Sequence, residues 1–130
     1  MKRWIGLDIG RKWSGIAMTD GLGIVEPKKT VQTKNLIEEL RKLKDEYEIQ
    51  GLVLGFPLTT KGKIGQRAKM VQKIKEKIQS EVVLPVHLQD ERFTTKEAMK
   101  IASKMKKVKD KRLIDRISAT LILRGFLAEN

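Results

Sequence analysis

A chain of 130 residues with no cysteine and one histidine, His87, is the length of one ordinary domain; it excludes a disulfide framework, a thiol nucleophile and a zinc centre built on Cys and His. Its 28 Lys and Arg against 16 Asp and Glu give a net charge of +12, which suits polyanionic partners through counterion release, although a lysine-rich solubilising surface accounts for it equally well. No apolar run reaches the length of a membrane span and a strand begins almost at once, so a single cytoplasmic domain over residues 1–130, without membrane contact, is expected.

In chain order, 3–9 reads as a short apolar strand stopped by Gly10, and 15–19 as a second. Asp20-Gly21 opens a hairpin turn, and 24–33 is a third strand in which Pro27 marks an edge or a bulge. Leu36, Leu40, Leu43 and Tyr47 then recur at helical spacing, predicting a helix over 35–48. The unbroken apolar run 51–56 predicts a strand buried on both faces. After a polar loop, Ile64, Ala68, Val71, Ile74 and Ile78 form another helical stripe, and 82–88 reads as a further buried strand. Thr94 with Glu97 makes a capping box for a helix to about 105; 106–111 is a basic connector, and 113–127 is a final helix rich in Ile, Leu and Ala. The order βββ-α-β-α-β-α-α predicts an α/β fold: a mixed five-stranded sheet, an antiparallel meander followed by two parallel strands, with flanking helices.

Chemistry in such a sheet gathers where strands end. Asp8 lies near the end of an apolar strand, where a carboxylate is costly unless it is paired or binds a cation; hydrogen bonds from the turn at 10–14 would satisfy it too. Asp90 and Glu91 follow the strand at 82–88, and alternation lets only one of them face Asp8. Asp115 falls in the first turn of the predicted last helix, where the helix dipole alone would favour an acid. Ser118 and Ala119, three and four residues later, would let that helix approach the sheet closely. Three convergent carboxylates without His or Cys would suit Mg²⁺ or Mn²⁺, and two such ions ~3.5–4 Å apart can serve phosphodiester cleavage. The cluster Lys96, Lys100, Lys104, Lys106, Lys107, Lys109, Lys111 and Arg112 is a candidate nucleic-acid surface, with a solvated helix face as the alternative. Trp4 and His87 read as packing residues in strands, and Trp13 as a loop residue open to base stacking.

Four motifs together resemble the YqgF family, also called RuvX, whose members carry the names Holliday junction resolvase and pre-16S rRNA nuclease. They are Gly6-Leu7-Asp8-Ile9-Gly10 with Lys12, Gly15-Ile16-Ala17 and Asp20; Leu54-Gly55-Phe56-Pro57-Leu58; Asp90-Glu91-Arg92 with 94–98; and Asp115 with Ser118-Ala119. The resemblance implies a ribonuclease-H-like fold and a metal-dependent endonuclease that cuts by in-line attack of water. It implies Asp8 and Asp115 as metal ligands, with Glu91, favoured over Asp90, as the remaining acid, and two Mg²⁺ or Mn²⁺ ions. Lys12 matches a basic family position and is expected to touch a phosphate; Arg92 is expected either to do the same or to pair with a neighbouring acid. The loop 59–63, Thr-Thr-Lys-Gly-Lys, departs from the Asn/Asp-containing stretch usual in the family, and Arg116 stands where a small residue is common. The partners implied are a ribosomal RNA precursor, alone or in a precursor particle, or branched DNA, bound by a monomer or, for symmetric junction cuts, a homodimer. A non-catalytic RNA-binding assembly factor is the main rival. An ATPase is a distant third, because the related kinases need two such domains and no Walker-type glycine loop is present.

Overall fold

Alternation along the first strand decides the architecture. In β1 (Arg3–Ile9) the side chains of Ile5, Leu7 and Ile9 are fully buried on one face of the sheet, while Trp4, Gly6 and Asp8 point to the other. The computed structural model describes residues 2–57, 65–90, 94–106 and 110–130. β1 lies at the centre, antiparallel to β2 (Trp13–Thr19) and parallel to β4 (Ile49–Phe56). β3 (Val25–Gln32) extends the meander beyond β2, and β5 (Val86–Asp90) runs parallel beside β4, giving the order β3-β2-β1-β4-β5. This is the mixed sheet that the element order predicts.

The odd-numbered face of β1 packs beneath α1 (Leu36–Glu46) and α2 (Gln66–Glu81), through Leu36, Leu40 and Leu43 of the first and Val71 and Ile78 of the second. α4 (Lys111–Glu129) covers the even-numbered face: Ala119, Ile122, Leu123 and Phe126 meet Ala17 and Val53. Each of those large side chains contributes roughly 1.5–3 kcal/mol when fully buried. α3 (Thr94–Lys104) lies against α4, Ala98 and Ala102 packing on Ile114 and Ile117. α4 crosses the sheet diagonally. Near its start the Arg112 carbonyl accepts from Thr30 Oγ1 of β3 at 2.7 Å, and near its end Gly125 lies beside Gln89 of β5. A Cβ on Gly6 would come within 2.6 Å of Leu123 Cβ and 2.8 Å of the Ala119 carbonyl, so the small pair Gly6 and Ala119 brings the helix directly onto β1.

The Asp20 turn is held by its own carboxylate, whose Oδ1 accepts from the amides of Leu22 at 2.7 Å and Ile24 at 3.0 Å. Pro27 sits on the edge strand opposite a shift in register, with Ile16 paired to Lys29 and Ala17 to Pro27, so Lys28 is the extra residue. Trp4 packs on His87 and Phe126, at ring-centroid distances of 5.6 and 5.3 Å, as a packing role requires.

Three expectations change. The run 82–88 is not one buried strand. The amides of Val82 and Val83 close α2 on the Ile78 carbonyl, Val83 adopts the left-handed conformation at φ 60°, and the strand starts only after Pro85, as a partly exposed edge. The final helix begins at Lys111, not 113, capped by Asp110, whose Oδ1 accepts from the Leu113 amide at 3.0 Å. Asp115 therefore stands in the second turn, beyond the reach that the dipole reading requires. A 3-10 turn at Thr33–Asn35 precedes α1, so that helix starts at Leu36. Residues 58–64, expected as a polar loop leading into the helical stripe that begins at Ile64, and 107–109 of the expected basic connector lie outside the described residues.

Candidate functional site

Strand register and glycine placement bring Asp8 and Asp115 together. Asp8 pairs across the ladder with Gly15, and a Cβ on Gly15 would collide with the backbone carbonyl of Asp115. The missing side chain at Gly15 lets the second turn of α4 settle on the sheet beside Asp8. Asp8 is buried, 6% exposed, and Arg67 from the first turn of α2 reaches it: Nη2 donates to Asp8 Oδ1 at 2.7 Å, and Nε donates to the Ile9 carbonyl at 3.2 Å. A charge-assisted bond of this length is a strong one, because the carboxylate is shielded from water on its own side.

Asp115 has a different environment. Burial pushes its carboxyl above the usual carboxylate range; the Arg112 guanidinium works against that shift, and the nearby charge of Asp8 adds to it. Arg112 Nε is 3.6 Å from Asp115 Oδ2, an ion pair too long for a hydrogen bond. That buried Oδ2 has no hydrogen-bond partner among the described residues, and neither does Ser118 Oγ one turn further along the helix. Two carboxylates that repel each other, one with an orphaned buried oxygen, are an electrostatic sink for a cation. Oxygen-only donors select a hard ion such as Mg²⁺ or Mn²⁺. The donor set therefore fits that class of metal.

The remaining sequence candidates divide. Asp90 closes β5 at the sheet edge, exposed, and follows Gln89, whose side chain is on the α4 face near Gly125. Among the described residues no three His, Cys, Asp or Glu side chains gather as a metal cluster, so Asp90 does not complete a set with Asp8 and Asp115. Glu91, Arg92, Lys107 and Lys109 lie outside the described residues. Lys12 is exposed on the loop after β1, anchored by the Thr33 amide donating to its carbonyl at 2.9 Å. Arg112 is less available than its place in a basic cluster suggests: its guanidinium lies over the Trp13 ring, 4.3 Å from the centroid, between that ring and Asp115. Trp13 opens β2 rather than a loop, and Arg112 stacks on its ring.

Arg67 escaped the sequence reading. Its signal is positional: four residues before Val71, it flanks the buried stripe of α2 in that helix's first turn, beside the strand ends where Asp8 lies. A basic residue at that corner has a carboxylate within reach.

Comparison with known proteins places this geometry. A family model named RuvX, described as Holliday junction resolvase, matches residues 2–129. A Geobacillus sp. protein named "Putative pre-16S rRNA nuclease" is 37% identical over 135 residues, covering 96% of each chain. A Moorella thermoacetica protein of the same name is 36% identical over 131 residues, covering 96% of this chain and 94% of its own. Among solved structures, Thermus thermophilus RuvC in complex with Holliday junction substrate superposes with a TM-score of 0.62 at 11% identity, covering 99% of this chain and 96% of that one. The likeness fixes the fold as ribonuclease-H-like.

Proposed function

The chain belongs to the RuvX family, and on that premise we propose that it is a divalent-metal-dependent endonuclease, processing the 5′ end of pre-16S rRNA. The observation that carries the reading is the meeting of Asp8 and Asp115, with a buried Asp115 oxygen left without a hydrogen bond. Asp8 and Asp115 would hold the metal, with Glu91 as the third carboxylate. Asp90 follows Gln89 in β5, whose side chain is on the α4 face, so alternation turns Asp90 away from that face and leaves Glu91 as the preferred acid. When bound, Mg²⁺ or Mn²⁺ supplies an activated water and stabilises the charge that develops on phosphate and leaving oxygen. The protein positions those carboxylates rigidly: one comes from a central strand and the other from a helix seated on a glycine. Arg67 neutralises Asp8 in the absence of metal and stands where a phosphate oxygen could take its guanidinium instead. The relatives named for pre-16S rRNA favour the RNA precursor over a DNA junction as substrate.

The test is cleavage of labelled precursor rRNA leader, single-stranded RNA and a DNA four-way junction with Mg²⁺, Mn²⁺ or EDTA, comparing the protein with Asp8→Asn and Asp115→Asn. Metal-dependent cutting of the RNA leader, lost in both variants, is the expected result. Cutting confined to the four-way junction would make the protein a resolvase. Binding without cutting in any metal, unchanged in both variants, would leave an assembly factor.

A further inference from the structure

We propose that one phosphodiester strand of the nucleic acid reaches the carboxylates along a basic groove that runs from the loop after β1 across the start of α2. The inference rests on the nucleic-acid reading of the preceding subsection and adds the path of the strand. Three clefts join end to end. The first, about 230 Å³, is lined by Arg11, Lys12, Gln32 and Lys34. Arg11 also lines the second, about 220 Å³, with Gln66, Arg67 and Met70. Gln66 and Met70 continue into the third, about 320 Å³, with Lys69 and Lys73.

The chemistry of this lining is one-sided. It consists of cations, two amides and a thioether, and no carboxylate lines it among the described residues. The larger cleft beside Trp13 differs, since Glu38 and Glu39 line it. Arg11, Lys12, Lys34, Lys69 and Lys73 are exposed and form no ion pair among the described residues, whereas Lys29 and Arg41 elsewhere are matched to Glu39 and Glu81. Helical spacing explains the third cleft: positions 66, 69, 70 and 73 form a stripe at i, i+3, i+4 and i+7, beside the buried stripe of Ala68, Val71 and Ile78. The middle cleft contains Arg67, which is bonded to Asp8, so the groove passes the candidate centre. A chain of small concave cationic sites suits a single backbone, with amides for sugar and base edges and Met70 as an apolar contact. This path differs from the exposed lysines of α3, which the sequence alone singles out.

The experiment measures binding of a labelled single-stranded oligouridylate in EDTA over a range of KCl. Four proteins are compared: the unaltered protein; Lys34→Gln/Lys69→Gln/Lys73→Gln in the groove; Lys96→Gln/Lys100→Gln/Lys104→Gln on α3; and Lys2→Gln/Lys42→Gln/Lys77→Gln as an exposed control with the same charge change. The groove variant should lose about 2 units of the slope of log affinity against log salt, and roughly tenfold or more in affinity at moderate salt, beyond the control. A groove variant that binds like the control overturns the proposal, whatever the α3 variant does. Because binding is read without metal, the two readings separate. Groove-dependent binding with no cutting of any substrate would sink the nuclease and keep the groove, while metal-dependent cutting with groove-independent binding would do the reverse.

Discussion

Replacing Arg67 by Gln tests whether Asp8 depends on that guanidinium. Asp8 has a side chain 8% exposed and bonded at 2.7 Å, whereas Arg67 is 41% exposed, so the pair is buried on the acid's side only. A fully buried pair that loses one partner costs about 3–5 kcal/mol and an exposed one about 0–1 kcal/mol. This intermediate geometry puts Arg67→Gln at about 1–2 kcal/mol of lost stability, since Asp8 is left buried beside Asp115. Asp8→Asn should cost less, because the cation it leaves is partly in water and still donates to the Ile9 carbonyl. On the Asp8→Asn background, Arg67→Gln should cost almost nothing. Urea unfolding in EDTA of the four proteins of this double-mutant cycle gives the coupling directly, expected at about 1 kcal/mol or more, a midpoint shift of roughly 0.5–1 M. Added Mg²⁺ should shrink the cost of Arg67→Gln by taking over the neutralisation of Asp8. Additive single effects, or an Arg67→Gln protein as stable as the parent, would refute the reasoning.

Three further perturbations have defined signs. Gly15→Ala adds a methyl where the Asp115 carbonyl sits; it should cost about 1–3 kcal/mol by thermal or urea unfolding and displace Asp115, so cleavage should fall as well. Asp115 has a folded-state pKa raised chiefly by burial, so its ionisation opposes folding: metal-free stability should decline as pH rises from the ordinary carboxylate range through the raised value, then level off. Asp115→Asn should accordingly be the more stable protein in EDTA at neutral pH, with the gap closing toward acid; an unchanged gap across that window would contradict the assignment. Val83, exposed and left-handed at φ 60°, is a β-branched residue where helices usually end on glycine; Val83→Gly should raise stability by about 0.5–1 kcal/mol in the same unfolding assay.

Where residue pattern and environment agree, the chain is readable. β1, β4 and the stripes of α1 and α2 follow their hydrophobic periods because each faces the core along its whole length. The run 82–88 misleads because an apolar run does not tell whether Val82 and Leu84 are buried by a strand or by the turn that ends a helix, and Pro85 decides it. Asp110 was passed over as a cap because lysines surround it and mask the boundary. Asp8 was visible as an acid in an apolar strand, and Asp115 as an acid near a helix start with the small residues Ser118 and Ala119 after it. Their meeting was not, because it depends on Gly15, whose role appears only when the helix is laid across the sheet. Arg67 was hidden for the same reason, since an arginine at a helix start has no local mark of the carboxylate it serves.

The diagonal seat of α4 over β1 also sets a schedule. Asp8 is synthesised well before Asp115, and the helix that carries Asp115 is also the lid of one half of the core. Closing contacts of such sequence separation has to await nearly the whole span between them. A nascent chain still on the ribosome thus has its strand carboxylate without its helix carboxylate. A site that needs both carboxylates cannot assemble until α4 has been made and docked.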